Sequence, residues 1–173
     1  MHKPSAPPQF RTALSLALYQ PDIPQNAGTM LRMCACLGVD AAIIGPAGFP
    51  TGDRHFRRSG MDYLGHVALS RHASFDDFEE WRSAQTPSRR LVLLSTKSSA
   101  NYYDSDFQVG DILMVGRESA GVPKEVADRA DMAVKIPMQP GMRSLNVAVA
   151  AAIVLGEALR QTRKASNEAQ ATT

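Results

Sequence analysis

Short apolar runs recur along this chain at 14–18, 41–44, 67–69, 91–94, 112–115 and 134–136, each bounded by turn-forming residues. Runs that are short and apolar throughout, without the in-and-out alternation of a half-exposed strand, predict strands covered on both faces. Between them lie helical patterns at 26–37, at 74–81 with Ser74 as N-cap, in a short turn after Pro123, and at 145–160. Strand and helix in alternation predict an α/β fold, a mostly parallel sheet flanked by helices.

The 173 residues are 44% hydrophobic, enough to bury one core. A single domain is drawn at 11–161. The opening MHKPSAPPQF carries three prolines and the segment from Thr162 is polar and Ala-rich, so 1–10 and 162–173 are expected to be flexible tails. No apolar run reaches the roughly 18–20 residues of a membrane span, and the N-terminus lacks a signal-peptide core. A cytoplasmic protein with no membrane partner is expected. Cys34 and Cys36 diverge on a helical pattern, and His2, His55, His66 and His72 have no ligand spacing, so neither a disulfide nor a metal is expected. A net charge of +2 permits nucleic-acid binding without demonstrating it. In the last helical pattern, LNVAVAAAIVLGEAL is apolar nearly all round. One face is expected to pack on the sheet while another meets a second copy, giving a homodimer; a helix fully buried in a monomer would also explain the pattern.

Three segments carry chemistry. In PDIPQNAGTMLRMCACLG, Pro21 and Pro24 stiffen a strand exit, Asn26 can cap the following helix, and Arg32 is a lone cation among apolar neighbours. A structural salt bridge or a contact to phosphate or ribose would each explain Arg32. In DILMVGRESAGVP, a strand ends at Gly116, where a ligand can approach the backbone closely, and Gly121 permits a tight turn before Pro123. Ligands of open α/β sheets sit at the carboxyl ends of strands, which makes this a natural cofactor loop, with Glu118 able to orient another group. In IPMQPGMRSLNVAVAAAIVLGEA, two prolines and a glycine force an irregular loop, and Arg143, Ser144 and Asn146 cluster where a helix starts. Ser144 or Asn146 can equally be its cap. A further stretch, GDRHFRRSG, brings Arg54, Arg57 and Arg58 together as a candidate phosphate-binding surface, which a solvated basic loop would also explain.

Taken together, the three segments resemble the SPOUT class of RNA methyltransferases, the TrmH superfamily, and most closely its TrmL group of tRNA wobble-position 2'-O-methyltransferases. The likeness runs from about Leu14 to Arg160. Pro24, Asn26, Gly28 and Arg32 fall on the first motif; Gly116, Glu118, Gly121 and Pro123 on the second; and Ile136, Pro137, Met138, Arg143, Ser144, Leu145 and Asn146 on the third. The resemblance implies a C-terminal trefoil knot and S-adenosylmethionine as methyl donor. It implies cofactor contacts at Leu94, Gly116, Ile136 and Ser144, with Ser95, Thr96, Met138 and Leu145 nearby. It implies Arg32, Ser144, Asn146 and Glu118 as catalytic residues, and Arg54, Arg57, Arg58 and Arg143 as contacts to a tRNA anticodon stem-loop. Thr29, Arg117 and Gly156 depart from residues common in the group.

A guanidinium remains a cation in neutral water, so Arg32 is assigned to stabilising a developing alkoxide or the adjacent phosphate. Ser144 and Asn146 would orient Arg32, the ribose or the cofactor, with Glu118 fixing the arrangement. The competing readings are a SPOUT enzyme acting on another tRNA ribose or on rRNA, a non-catalytic RNA-binding module, and a nucleotide-binding α/β protein. The last would require a phosphate-cradling GxGxxG or GxxxxGK[ST], and neither occurs.

Overall fold

The computed structural model describes residues 13–50, 54, 56, 58 and 61–171. Six strands, β1 (Ser15–Tyr19), β2 (Asp40–Ile44), β3 (Leu69–His72), β4 (Leu91–Leu94), β5 (Ile112–Val115) and β6 (Met132–Val134), form one sheet in the order β3-β2-β1-β5-β4-β6. Every pairing is parallel. Among the described residues they are accompanied by the helices α1 (Pro24–Leu37), α2 (Phe75–Ser83), α3 (Lys124–Ala127) and α4 (Val147–Ala171).

Alternate strand residues feed two cores. Leu14, Leu16, Leu18, Ile43, Leu113 and Val115 pack on one face with Ala27, Met30, Leu31 and Cys34 of α1 and Ala151, Val154, Leu155 and Ala158 of α4. Ala17, Tyr19, Ile44, Leu93 and Met114 pack on the other with Phe75 and Phe78 of α2 and Val126 of α3. The buried positions of α1 fall at helical spacing, so the sheet and α4 rather than intrinsic propensity hold that helix in place. Trimming a side chain such as the fully buried Leu31 to alanine costs about 2–5 kcal/mol at sites of this kind.

Expected and observed elements agree closely at β1, β2, β4 and β5. The run at 67–69 is displaced: the strand is Leu69–His72, an edge strand paired only with β2, so it needs no continuous apolar run. His72 is held there against the rings of Phe78 and Trp81, at 5.4 and 5.1 Å. The run at 134–136 also moves, because β4 pairs Val92 with Met132 and Leu94 with Val134, leaving Ile136 beyond the sheet. Part of the expected tail from 162 is helical: α4 continues to Ala171, and the buried Thr162 hydroxyl donates to the Ala158 carbonyl at 2.8 Å. The expected tail 1–10 lies outside the described residues.

Both cysteines are free, Cys34 buried with its thiol pushed up to about 12 by that burial, and Cys36 exposed. Among the described residues no helix is long and apolar enough to cross a membrane, and no group of three or more His, Cys, Asp or Glu side chains could hold a metal ion. The strand order turns over between β1, whose chain leads outward to β2 on one side, and β5, whose chain leads across β4 to β6 on the other. Such a switch point opens a crevice at the carboxyl ends of the strands.

Candidate active site

Immediately after β5 the chain makes a tight turn closed by two backbone hydrogen bonds, Arg117 N–H to the Gly121 carbonyl at 3.0 Å and Gly121 N–H to the Arg117 carbonyl at 2.8 Å. A Cβ on Gly116 would sit 2.6 Å from the Gly121 carbonyl carbon, and Gly121 has φ of +65°. The first position excludes a side chain by close approach, the second by backbone conformation.

That turn delivers Glu118 into the crevice. Its backbone N–H donates to Asp22 Oδ1 at 3.1 Å, while the Asp22 N–H donates back to Glu118 Oε2 at 3.0 Å. Asn26 Nδ2 donates to Glu118 Oε1 at 3.3 Å, and Asn146 Nδ2 donates to Asn26 Oδ1 at 3.0 Å. Asn146 Oδ1 then accepts the N–H groups of Ala148 and Val149, at 2.8 and 3.4 Å, and so caps α4. A carboxylate only accepts and a helix N–H only donates, so the orientations of both asparagine amides are fixed by the two ends of this chain. Every donor points toward Glu118, and the negative charge there collects the polarisation of the whole series.

Asn26 therefore has a different task from the expected cap. The N-cap of α1 is Ile23, with Pro24 in the first turn where its missing N–H costs nothing. That leaves the Asn26 side chain free to join the second and third motif segments. Burial raises the Glu118 carboxyl above its ordinary value, with the Asp22 side chain adding to the rise. Asp22 is lowered to about 2, first by its contact with Glu118 and then by the Ser119 hydroxyl. Asp22 was not singled out in the sequence, since an acid in a proline-bounded loop carries no signal of its own; neither was Tyr63.

Arg32 stands elsewhere on α1. It is exposed, with its guanidinium carbon 4.7 Å from the centre of the Tyr63 ring. Among the described residues it makes no ion pair, and neither Ser144 nor Asn146 orients it. Ser144 is exposed and forms no hydrogen bond among the described residues. Arg54, Arg58 and Arg143 are exposed, while Arg57 lies outside the described residues.

Of the expected cofactor positions, Leu94, Gly116 and Ile136 lie at the carboxyl ends of the adjacent strands β4, β5 and β6. Leu94 pairs with Val115, one residue before Gly116, and on its other side with Val134, two residues before Ile136. Leu94, Ser95, Ile136 and Met138 are half-buried, and Thr96 is exposed. Leu145 and Met142 are 41% and 66% exposed, unusual for apolar side chains. Aliphatic groups beside strand-exit backbone suit an adenine ring, which needs apolar walls and backbone partners for its edge. The donor set therefore fits an adenosyl group. Of the departures from the family pattern, Thr29 returns its hydroxyl to the Gln25 carbonyl at 2.9 Å, Gly156 is exposed on α4, and Arg117 lies 3.7 Å from Asp22 Oδ2.

The chain is 70% identical, over 84% of its length and 90% of the other's, to a tRNA (cytidine(34)-2'-O)-methyltransferase of Beijerinckia indica subsp. indica. A solved structure described as giving insights into the 2-OH methylation of C/U34 on tRNA superposes with a TM-score of 0.79 at 43% identity, covering 86% of this chain and 95% of that one. An AdoMet-bound rRNA methyltransferase from Sinorhizobium meliloti superposes with a TM-score of 0.78 at 28% identity, covering 89% of this chain and 57% of that one. The model of the SpoU rRNA Methylase family matches residues 13–156, a span that holds the first two motif segments, the third as far as Gly156, and the Glu118, Asn26 and Asn146 side chains that join them; the chain is a member of that family.

Proposed function

We propose that this protein transfers the methyl group of S-adenosylmethionine to the ribose 2'-oxygen of the wobble pyrimidine in tRNA. The meeting of three distant motif segments at Glu118, Asn26 and Asn146, beside an apolar strand-exit cradle, carries the reading. The likeness narrows the substrate: the chain is 70% identical to the tRNA-directed relative and 28% identical to the rRNA-directed one.

When bound, S-adenosylmethionine supplies a methyl already activated on a sulfonium. The protein's own task is to place the ribose and to answer the charge that develops on its oxygen. Exposed and steadied by Tyr63, Arg32 offers a fixed positive charge to that oxygen or to the neighbouring phosphate. Glu118, Asn26 and Asn146 hold the β5 exit loop, α1 and the start of α4 in one register. Leu94, Ser95, Thr96, Gly116, Ile136, Met138, Ser144 and Leu145 would line the donor, with the loops after β5 and β6 forming the trefoil knot of the family. Arg54, Arg57, Arg58 and Arg143 would meet phosphates of the anticodon stem-loop, an affinity that falls with added salt.

On α4, Val149, Ala152 and Gly156 form an exposed stripe of apolar and small residues, with the exposed Leu145 just ahead of the helix. A homodimer through this stripe is part of the same reading, as are a cytoplasmic location and a catalytic unit at 11–161. Sedimentation of the purified protein at the mass of two chains tests the dimer. The decisive assay is labelled methyl transfer to unmodified tRNA transcripts that differ only at the wobble nucleotide. Incorporation should follow that nucleotide, and incorporation indifferent to it would defeat the assignment.

A further inference from the structure

Beyond the strands, side chains join the backbone in tying together the exits of β1, β2 and β5. Asp22 is the centre of that tie. Oδ1 takes the Glu118 N–H, Oδ2 takes the Ser119 hydroxyl, and Arg117 Nε lies 3.7 Å from Oδ2 with its own N–H buried and without a hydrogen-bond partner. The β2 exit packs against the same residue: a Cβ on Gly48 would lie 2.9 Å from Asp22 Cβ, and the Gly48 N–H donates to the Pro21 carbonyl at 2.9 Å. One turn of chain earlier, Gln20 holds φ of +42°. That left-handed conformation is uncommon for a residue with a Cβ, and such backbone strain concentrates at functional sites. There it directs the amide so that Oε1 accepts from Arg117 Nη1 at 3.3 Å and Nε2 donates to the Gly45 carbonyl at 3.4 Å.

We infer that Asp22 is a positioning residue for the methyl transfer: gripped by Ser119 and Arg117, it fixes Glu118 and, through Glu118, the Asn26–Asn146 pair. The inference rests on the reading of the site as a methyltransferase centre. Two bonds running in opposite directions between Asp22 and Glu118 fix both the distance and the rotation of the β5 turn relative to α1. With the Asp22 carboxylate gone, the Glu118 backbone and Ser119 lose their anchor and Arg117 loses its counter-charge. The turn that carries Gly116 is then free to shift, although no group that touches the donor or the ribose has been removed.

The test compares wild type with Asp22→Ala and Asp22→Asn in steady-state methylation of tRNA, with hydrogen exchange of each ligand-free protein alongside. Asp22→Ala should lower kcat by about tenfold to a hundredfold while leaving the KM for S-adenosylmethionine and for tRNA within about threefold, because misplacement by an ångström acts on the chemical step. Asp22→Asn keeps an acceptor for the Glu118 N–H and should fall between the two. Exchange should quicken at residues 117–121 and in the first turn of α4 in Asp22→Ala. A kcat within about twofold of wild type, or a loss taken up in KM, overturns the inference. Should Asp22→Ala not fold, Ser119→Ala carries the same comparison, since it removes one hydrogen bond and nothing from the core. Should wild type itself transfer no methyl to tRNA, the functional reading fails, and the exchange pattern alone decides: quickened exchange at both segments supports the positioning role, and unchanged exchange removes it.

Discussion

Asn26 and Asn146 are separated by 120 positions in the chain, and their side-chain amides meet at 3.0 Å, the second donating to the first. Because Asn146 also caps α4, a single residue sets the start of the last helix and closes the polar chain that ends at Glu118.

Asn146→Asp separates those two duties. An aspartate is as good an N-cap as asparagine, so stability should stay within about 1 kcal/mol of wild type. It cannot donate, however, and Asn26 would then lie between two carboxylates with one amide to serve both. Turnover should drop by about tenfold or more, in keeping with the loss of an orienting contact. Thermal unfolding and labelled methyl transfer measured on one preparation decide this. Equal losses in both would return Asn146 to a capping role alone.

Arg32→Ala should abolish turnover and leave the affinity for S-adenosylmethionine, read by calorimetry, nearly unchanged. The contact with Tyr63 is at the surface, so its loss should cost only about 0.5–1 kcal/mol of stability. If the variant instead unfolds or loses the cofactor, Arg32 serves the fold.

At Gly116 the prediction concerns space. Gly116→Ala places a methyl against Gly121 backbone that cannot yield without breaking the Arg117–Gly121 turn. Overpacking of this kind costs about 1–3 kcal/mol. Urea unfolding should show that loss, and calorimetric binding of S-adenosylmethionine should weaken with it; undiminished binding would place the cofactor away from the β5 exit.

Acid should expose the Asp22 contribution. Its carboxyl is lowered from 3.8 to about 2 by Glu118 and Ser119. A depressed carboxyl stabilises the fold above its unfolded value and loses that contribution as pH falls through the folded one. The difference in urea midpoint between wild type and Asp22→Asn should therefore close as pH falls toward 2. Glu118, raised by burial and then by Asp22, works the other way, its contribution whole below 4.5 and fading as pH climbs through the raised value. A midpoint difference that does not narrow in acid would mean that the Asp22 charge adds nothing to the fold.

Much of this was legible in the residues. The apolar runs at 91–94 and 112–115 coincide with β4 and β5 because central strands must be apolar on both faces. Ser74 does cap α2, accepting the Asp77 N–H at 3.1 Å, because its position before an amphipathic pattern is a local signal. The edge strand β3 was misplaced for the opposite reason, since the half-buried Ser70 and the exposed Arg71 carry no apolar pattern. Gly116, Glu118, Asn26 and Asn146 were each visible as motif residues, but not the hydrogen bonds between them. Asp22 was missed because its importance lies in contacts made 96 and 97 positions away, with Glu118 and Ser119.

The placement of β6 outside β4, with β5 inserted between β4 and β1, has a bearing on synthesis. A nascent chain that has emerged only as far as β5 owns the N-terminal half of the crevice, yet nothing can cap α4 or complete the bond to Asn26. The contacts that finish the centre are among the most distant along the chain, and closure entropy must be met before they reward it. Methyl-donor affinity should thus arrive late and all at once during translation, and ribosome-bound fragments ending short of Asn146 should be blind to the donor.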